Sequence, residues 1–295
     1  MPLTEVVHYL NQHLPKQHPQ AALGRHSRFV YSHGRIGAQV AGFTLIPYQL
    51  ALVYATPRGY PLFGRFGHFM IETGHGGWMH PESIYIHATD VDDIVFLDRF
   101  LRTLHTLYHL NQTRDRREYL ALAVHLRHVG AVQDQHGLIF EALLQKLGMA
   151  PGQIILKLPT ASLQQDPHVR YAAQNFVARG YHLAAAGLPD ELDVSLLARL
   201  GVGWVCVDKD TLARTAQESA SPWAQLHAHS VRLWVTQVTD RAVFRWARAY
   251  PESVLEGRLD ELNPEGLGQF VASYLSEPSP RYLAQWMRPP GAASP

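Results

Sequence analysis

From residue 119 onward, short apolar runs alternate with helical stretches, and this alternation constrains the fold more than any other feature of the chain. YLALAVHLR (119–127), QIILKL (153–158), YHLAAA (181–186), GWVCVD (203–208), RLWVTQV (232–238) and SVLEGRL (253–259) read as strands, being continuous apolar runs of strand length. Between them, HGLIFEALLQKLGM (136–149, stopped by Gly148), HVRYAAQNFVARG (168–180, stopped by Gly180), SLLARLG (195–201), PWAQLHAH (222–229) and AVFRWARAY (242–250) read as helices. Parallel strands need a crossover between them, so the pattern predicts βαβ units. At least six such units favour a closed barrel over an open sheet. No G-x-G-x-x-G opens any of the helices, which weighs against a dinucleotide-binding doubly wound sheet.

The first part of the chain is patterned differently. Residues 3–14 read as an amphipathic helix, 17–27 as a polar loop, and 29–55 as extended chain with His33-Gly34 as a turn. A Gly-rich piece, GRFGHFMIETGHGG (64–77), leads to HPESIYIHA, and a helix opened by Asp90, Asp92 and Asp93 runs over 90–112. No long Gly, Ser or Pro linker divides the chain, so one main domain is expected. The tail RPPGAASP reads as disordered.

Charged residues make up 17% of the 295 residues, below the roughly 25% of an average soluble domain. A net charge of +1 gives no electrostatic footprint for nucleic acid or a membrane surface. The lone Cys206 forms no internal disulfide and no multi-thiolate metal site, which fits a reducing compartment. With no signal-peptide core and no apolar run of membrane-spanning length, the cytoplasm is the expected location. His105 and His109 stand at a metal-compatible i, i+4 spacing, but no acidic or thiol ligand stands beside them, and they read as ordinary half-buried histidines.

Five segments taken in order carry a family likeness: FTLIPYQLAL with its Tyr48-Gln49 pair, GGWMHPESIY, GMAPGQIILKLPTASL, GVGWVCVDKDTL, and RLWVTQVTDRAVFRWARAYPESVLEGRL. Together they resemble the EAL domains of cyclic di-GMP phosphodiesterases over roughly residues 43–265. The resemblance implies an α/β fold, an EAL-type modified TIM barrel, preceded by a short helical and extended N-terminal extension (1–42) and followed by a C-terminal helix and disordered tail (266–295). The literal tripeptide Glu141-Ala142-Leu143 is not the signature, because it lies on an amphipathic helix with Leu143, Leu144 and Leu147. Counting back from Pro81 puts the signature in GRFGHF, with Phe66 where the family has its glutamate.

The family, as the resemblance implies, hydrolyses cyclic di-GMP with Mg²⁺ or Mn²⁺ held by carboxylates at the C-terminal mouth of the barrel, since hard cations need oxygen ligands. Carried over position by position, His125 replaces an Asn, Lys157 a Glu, Cys206 a catalytic Lys, Thr236 a metal-binding Glu, and Glu256 a Gln. Ala184, Ala185 and Ala186 cover the paired aspartates, and Met70 replaces the Arg after the signature. Asp208 and Gln49 are retained, the latter as a residual ligand contact. The expectation is a chain that is not an enzyme and takes no metal or cofactor. It would serve bacterial signalling as a regulatory protein-binding module, with a homodimer compatible with the family. A cyclic di-GMP receptor ranks second and an active phosphodiesterase third. Phe244, Arg245, Trp246, Arg281, Tyr282, Trp286 and Arg288 suit a protein interface. A lysine on an apolar strand needs a counter-charge, so Lys157 is expected to pair with Glu256 or Asp208.

Overall fold

The computed structural model describes residues 3–56, 60–113, 118–189, 191–215, 222–238 and 252–257. The chain divides into two compact units, the first built from 3–49 and 67–113 and the second from the remaining described residues.

In the first unit, α1 (Leu3–Gln17) buries Val7, Leu10 and Leu14, one face at helical spacing. β1 (Arg28–Ser32) and β2 (Arg35–Val40) form an antiparallel hairpin. Its turn residues, His33 (φ 51°) and Gly34 (φ 76°), are both left-handed, as a two-residue turn that matches strand twist requires. β3 (Phe43–Tyr54) pairs with β2 through Phe43, Thr44 and Leu45. β4 (Leu62–Glu72) pairs at its end with β5 (Trp78–Met79). The Gly-rich 64–77 segment is therefore largely strand. α2 (Val91–Gln112) starts at Asp90, whose side chain accepts from the Asp93 N–H, and packs Phe100 on Phe29 with ring centroids 4.4 Å apart.

The second unit continues from the later part of β3 and the earlier part of β4. It then adds β6 (Tyr119–Ala123), α3 (Leu126–Ala131), α4 (Leu138–Leu147), β7 (Ile154–Pro159), α5 (Thr160–Gln165), α6 (Pro167–Ala178) and β8 (His182–Ala186). α7 (Val194–Arg199), β9 (Val202–Asp208), α8 (Lys209–Thr215), α9 (Pro222–Ala228), β10 (Arg232–Val238) and β11 (Val254–Gly257) follow. The strands lie in the order β3-β11-β10-β9-β8-β7-β6-β4, and a β3–β4 pairing closes the barrel. Seven strands run parallel, and β3 runs against them, pairing antiparallel with β11 through Leu52, Val53 and Tyr54.

One expected element shifts. The strand expected over 119–127 stops at Ala123, and His125 caps α3 instead. The short helices α3, α5 and α8 lie outside the expected elements. The helix expected at 242–250, the C-terminal helix and the tail lie outside the described residues, as do all seven residues of the expected interface. Glu141-Ala142-Leu143 lies on α4, where Glu141 forms an ion pair with Arg179 at 3.0 Å.

The barrel interior is filled in layers, as the period-two alternation of each strand requires. At the N-terminal end Phe63 meets Tyr54, Tyr119 and Trp204, and Tyr119 and Trp204 each contact His182. Above them Leu52, Phe66, Ala121, Ile155, Ala184, Cys206, Trp234 and Val254 form one buried cluster. Ala121 and Ala184 are small where Phe66 and Trp234 are large, which lets those two rings meet edge to face at 5.9 Å. Among the described residues no helix is long and apolar enough to cross a membrane.

Candidate functional site

The C-terminal ends of the parallel strands form the barrel mouth, the end where barrels of this kind place their chemistry. Its centre is a charged pair set on aromatic rings. Lys157 on β7 reaches across to Glu256 on β11, Nζ to Oε2 at 3.8 Å. The ammonium lies 4.4 Å from the centroid of the Phe66 ring and 5.1 Å from that of Trp234. Glu256 is 95% buried, and its Oε2 also accepts from the Trp234 indole N–H at 2.9 Å.

A buried carboxylate with no partner would cost several kcal/mol. Here it has a hydrogen bond and a facing cation, and the cation in turn has a carboxylate and two ring faces. Of the two partners weighed for Lys157, Glu256 is the one paired. Asp208 is engaged elsewhere: its carboxylate accepts from the backbone of Asp210 and Thr211 and from the Thr211 hydroxyl, capping α8. Partial burial alone would raise the Asp208 carboxyl, but these hydrogen bonds outweigh it and hold the group below its ordinary value.

Cys206 sits beneath the pair. Burial pushes its thiol up to about 12, against the opposing pull of the nearby Lys157 ammonium. Thr236 donates from Oγ1 to the Val207 carbonyl at 3.3 Å. After it, β10 bulges: Val235 pairs with Leu255 and Val238 with Gly257, so Thr236 and Gln237 together oppose Glu256. The backbones come so close here that a Cβ on Gly257 would stand 2.3 Å from the Val238 carbonyl oxygen.

Phe66, Lys157, Ala184, Cys206 and Glu256 are thus brought to one cluster. Ala185 points to the opposite face of β8 from Ala184, because strand neighbours alternate. His125 stands beyond the end of β6, its Nδ1 accepting from the Arg127 N–H at 3.3 Å. Gln49 lies on β3 in the first unit, buried, with neither end of its amide hydrogen-bonded among the described residues. Trp234 belongs to no motif in the sequence, although its place two residues before Thr236 puts it on the inward face.

The donor set does not suit a hard divalent cation. Within the cluster Glu256 is already held by Trp234 and Lys157, and an ammonium stands among the groups that would have to be ligands. Among the described residues no three His, Cys, Asp or Glu side chains gather as a metal-binding group.

No model of a known protein family matches the sequence, and no curated protein matches it. Solved structures do. The cyclic di-GMP complex of the PaMucR phosphodiesterase has a TM-score of 0.58 at 15% identity, covering 73% of this chain and 90% of its own. The Bacillus subtilis YkuI protein, with an EAL domain and in complex with substrate cyclic di-GMP and calcium, has a TM-score of 0.59 at 13% identity, covering 78% and 60%. The manganese and cyclic di-GMP complex of Klebsiella pneumoniae BlrP1 has a TM-score of 0.54 at 16% identity, covering 74% and 59%. At these identities the likeness establishes the fold, and the fold is the EAL-type α/β barrel. It also corrects the expectation that the chain is not an enzyme. The structures that share its fold include a phosphodiesterase and a substrate complex.

Proposed function

We propose that this chain serves cyclic di-GMP signalling, that its barrel mouth takes the cyclic dinucleotide, and that its output passes to a partner protein. The observation that carries the reading is the Lys157 ammonium, held at the mouth between Glu256 and the Phe66 and Trp234 rings. An ammonium at that end of a barrel, its charge balanced by Glu256, offers N–H donors to a phosphodiester without a divalent ion having to be gathered first. Three structures of the same fold hold cyclic di-GMP, which supports the dinucleotide as the ligand of the mouth.

The test is calorimetric titration of the full chain with cyclic di-GMP, with and without Mg²⁺ or Mn²⁺, and chromatography of the ligand afterwards. Micromolar binding that is the same with and without metal supports the reading. Absence of binding at millimolar ligand overturns it, and formation of the linear dinucleotide would show that the bound ligand is also turned over. The partner is tested by capture with ligand-loaded and ligand-free protein. Retention of the same proteins in both states removes the regulatory part of the proposal.

A further inference from the structure

The bulge at the end of β10 has a property that the barrel itself does not require. Gln237 takes φ 58°, the left-handed region that β-carbon-bearing residues rarely occupy. Five other described non-glycine residues share it, His33, Ala41, Gln135, Ser230 and Glu252, and each stands in a connection between elements. Among the described residues Gln237 is the one that does so inside a strand. Glycine would hold the same backbone at lower cost, so the side chain is kept against a conformational penalty. That side chain is exposed, at the mouth, beside Thr236 and opposite Glu256. Bulges at barrel rims re-aim a side chain that regular pairing would turn elsewhere.

We propose that Gln237 is a ligand-reading residue of the mouth, its amide hydrogen-bonding the polar edge of a purine base in a bound cyclic dinucleotide. This rests on the function proposed above. An amide presents a donor and an acceptor side by side, which matches a purine edge carrying both kinds of group. A phosphate offers acceptors only and is better met by the Lys157 ammonium.

The experiment compares wild type, Gln237→Gly and Gln237→Ala in calorimetric titration with cyclic di-GMP and in ligand-free thermal unfolding. Both variants lose the amide, but only glycine relieves the backbone. Affinity is expected to fall about tenfold or more in both. The unfolding midpoint is expected to rise by about 2–4 °C in Gln237→Gly alone. Wild-type affinity in both folded variants overturns the role of Gln237 and leaves the dinucleotide site standing. A midpoint lowered in both variants overturns it as well, because the side chain would then serve the fold. A wild-type protein that binds no dinucleotide overturns this inference together with the reading on which it rests.

Discussion

The indole N–H of Trp234 donates to Glu256 at 2.9 Å, and the same oxygen, Oε2, faces Lys157 at 3.8 Å. One buried carboxylate thus answers both an aromatic donor and a cation. Through it β10, which carries Trp234, and β7, which carries Lys157, are joined to β11 at the mouth.

The first prediction concerns that shared oxygen. Lys157→Met keeps the apolar stem but removes the facing cation from Glu256, which keeps the indole donor of Trp234. Breaking a fully buried pair costs about 3–5 kcal/mol. A loss of about 2 kcal/mol is expected here, because Lys157 keeps some solvent contact and the pair is long. Glu256→Gln keeps an acceptor for Trp234 and loses only the charge, for about 1 kcal/mol. Urea unfolding followed by tryptophan fluorescence gives the cycle, with an expected coupling of about 1 kcal/mol. Strict additivity of the two substitutions would show that the two charges do not interact.

A second prediction follows from the cap on α8. The folded-state value of Asp208 is depressed by its hydrogen bonds. Its contribution is therefore present above the unfolded carboxyl value of about 3.9 and is lost as pH falls through the folded one. Asp208→Ala is expected to cost about 1 kcal/mol at pH 7. The gap between variant and wild type should close on acidification, read as unfolding free energy against pH. A gap that stays constant down to the acid limit would mean that the carboxylate's charge contributes nothing.

How much of this was legible in the sequence depended on what each residue's neighbours reveal. The strands from β6 to β11 were legible because each is a short apolar run closed by a turn or a helix signal. The partner of Lys157 was legible because a charge on an apolar strand must be answered, and few carboxylates lie on neighbouring strands. His125 was misplaced because a polar residue ending a strand and one capping a helix look alike when the two elements abut. The Gly-rich stretch hid β4, since Gly64 is there for close approach: a Cβ would stand 2.5 Å from the Tyr119 carbonyl oxygen. The bulge at Gln237 was invisible because Thr-Gln-Val carries no glycine or asparagine to mark a left-handed residue.

Cys206 supplies a third prediction. Its thiol is buried and raised to about 12, so at pH 8 almost none of it is thiolate and little of it is accessible. In the folded protein an aromatic disulfide reagent should release negligible chromophore over minutes. In denaturant one equivalent should appear at once. Rapid reaction in the folded state would show that this part of the barrel opens readily.

The last prediction concerns the first unit, where His105 on α2 lies against Phe69 with ring centroids 5.9 Å apart. Burial, aided by the nearby His68, lowers His105 to about 3. The folded chain holds this imidazole neutral, while the unfolded chain protonates it below about 6.5. Protons therefore bind the unfolded state preferentially throughout that interval. Stability is undiminished above about pH 6.5 and falls as pH drops towards 3, by up to about 1.4 kcal/mol per pH unit from this residue. His105→Leu preserves the apolar contact with Phe69 and removes the titration. The variant should match wild type near neutrality within about 1.5 kcal/mol and lose less stability between pH 6.5 and 4. Chemical denaturation of both proteins at matched pH reads the difference directly. Parallel acid limbs would show that His105 is not held neutral by the fold.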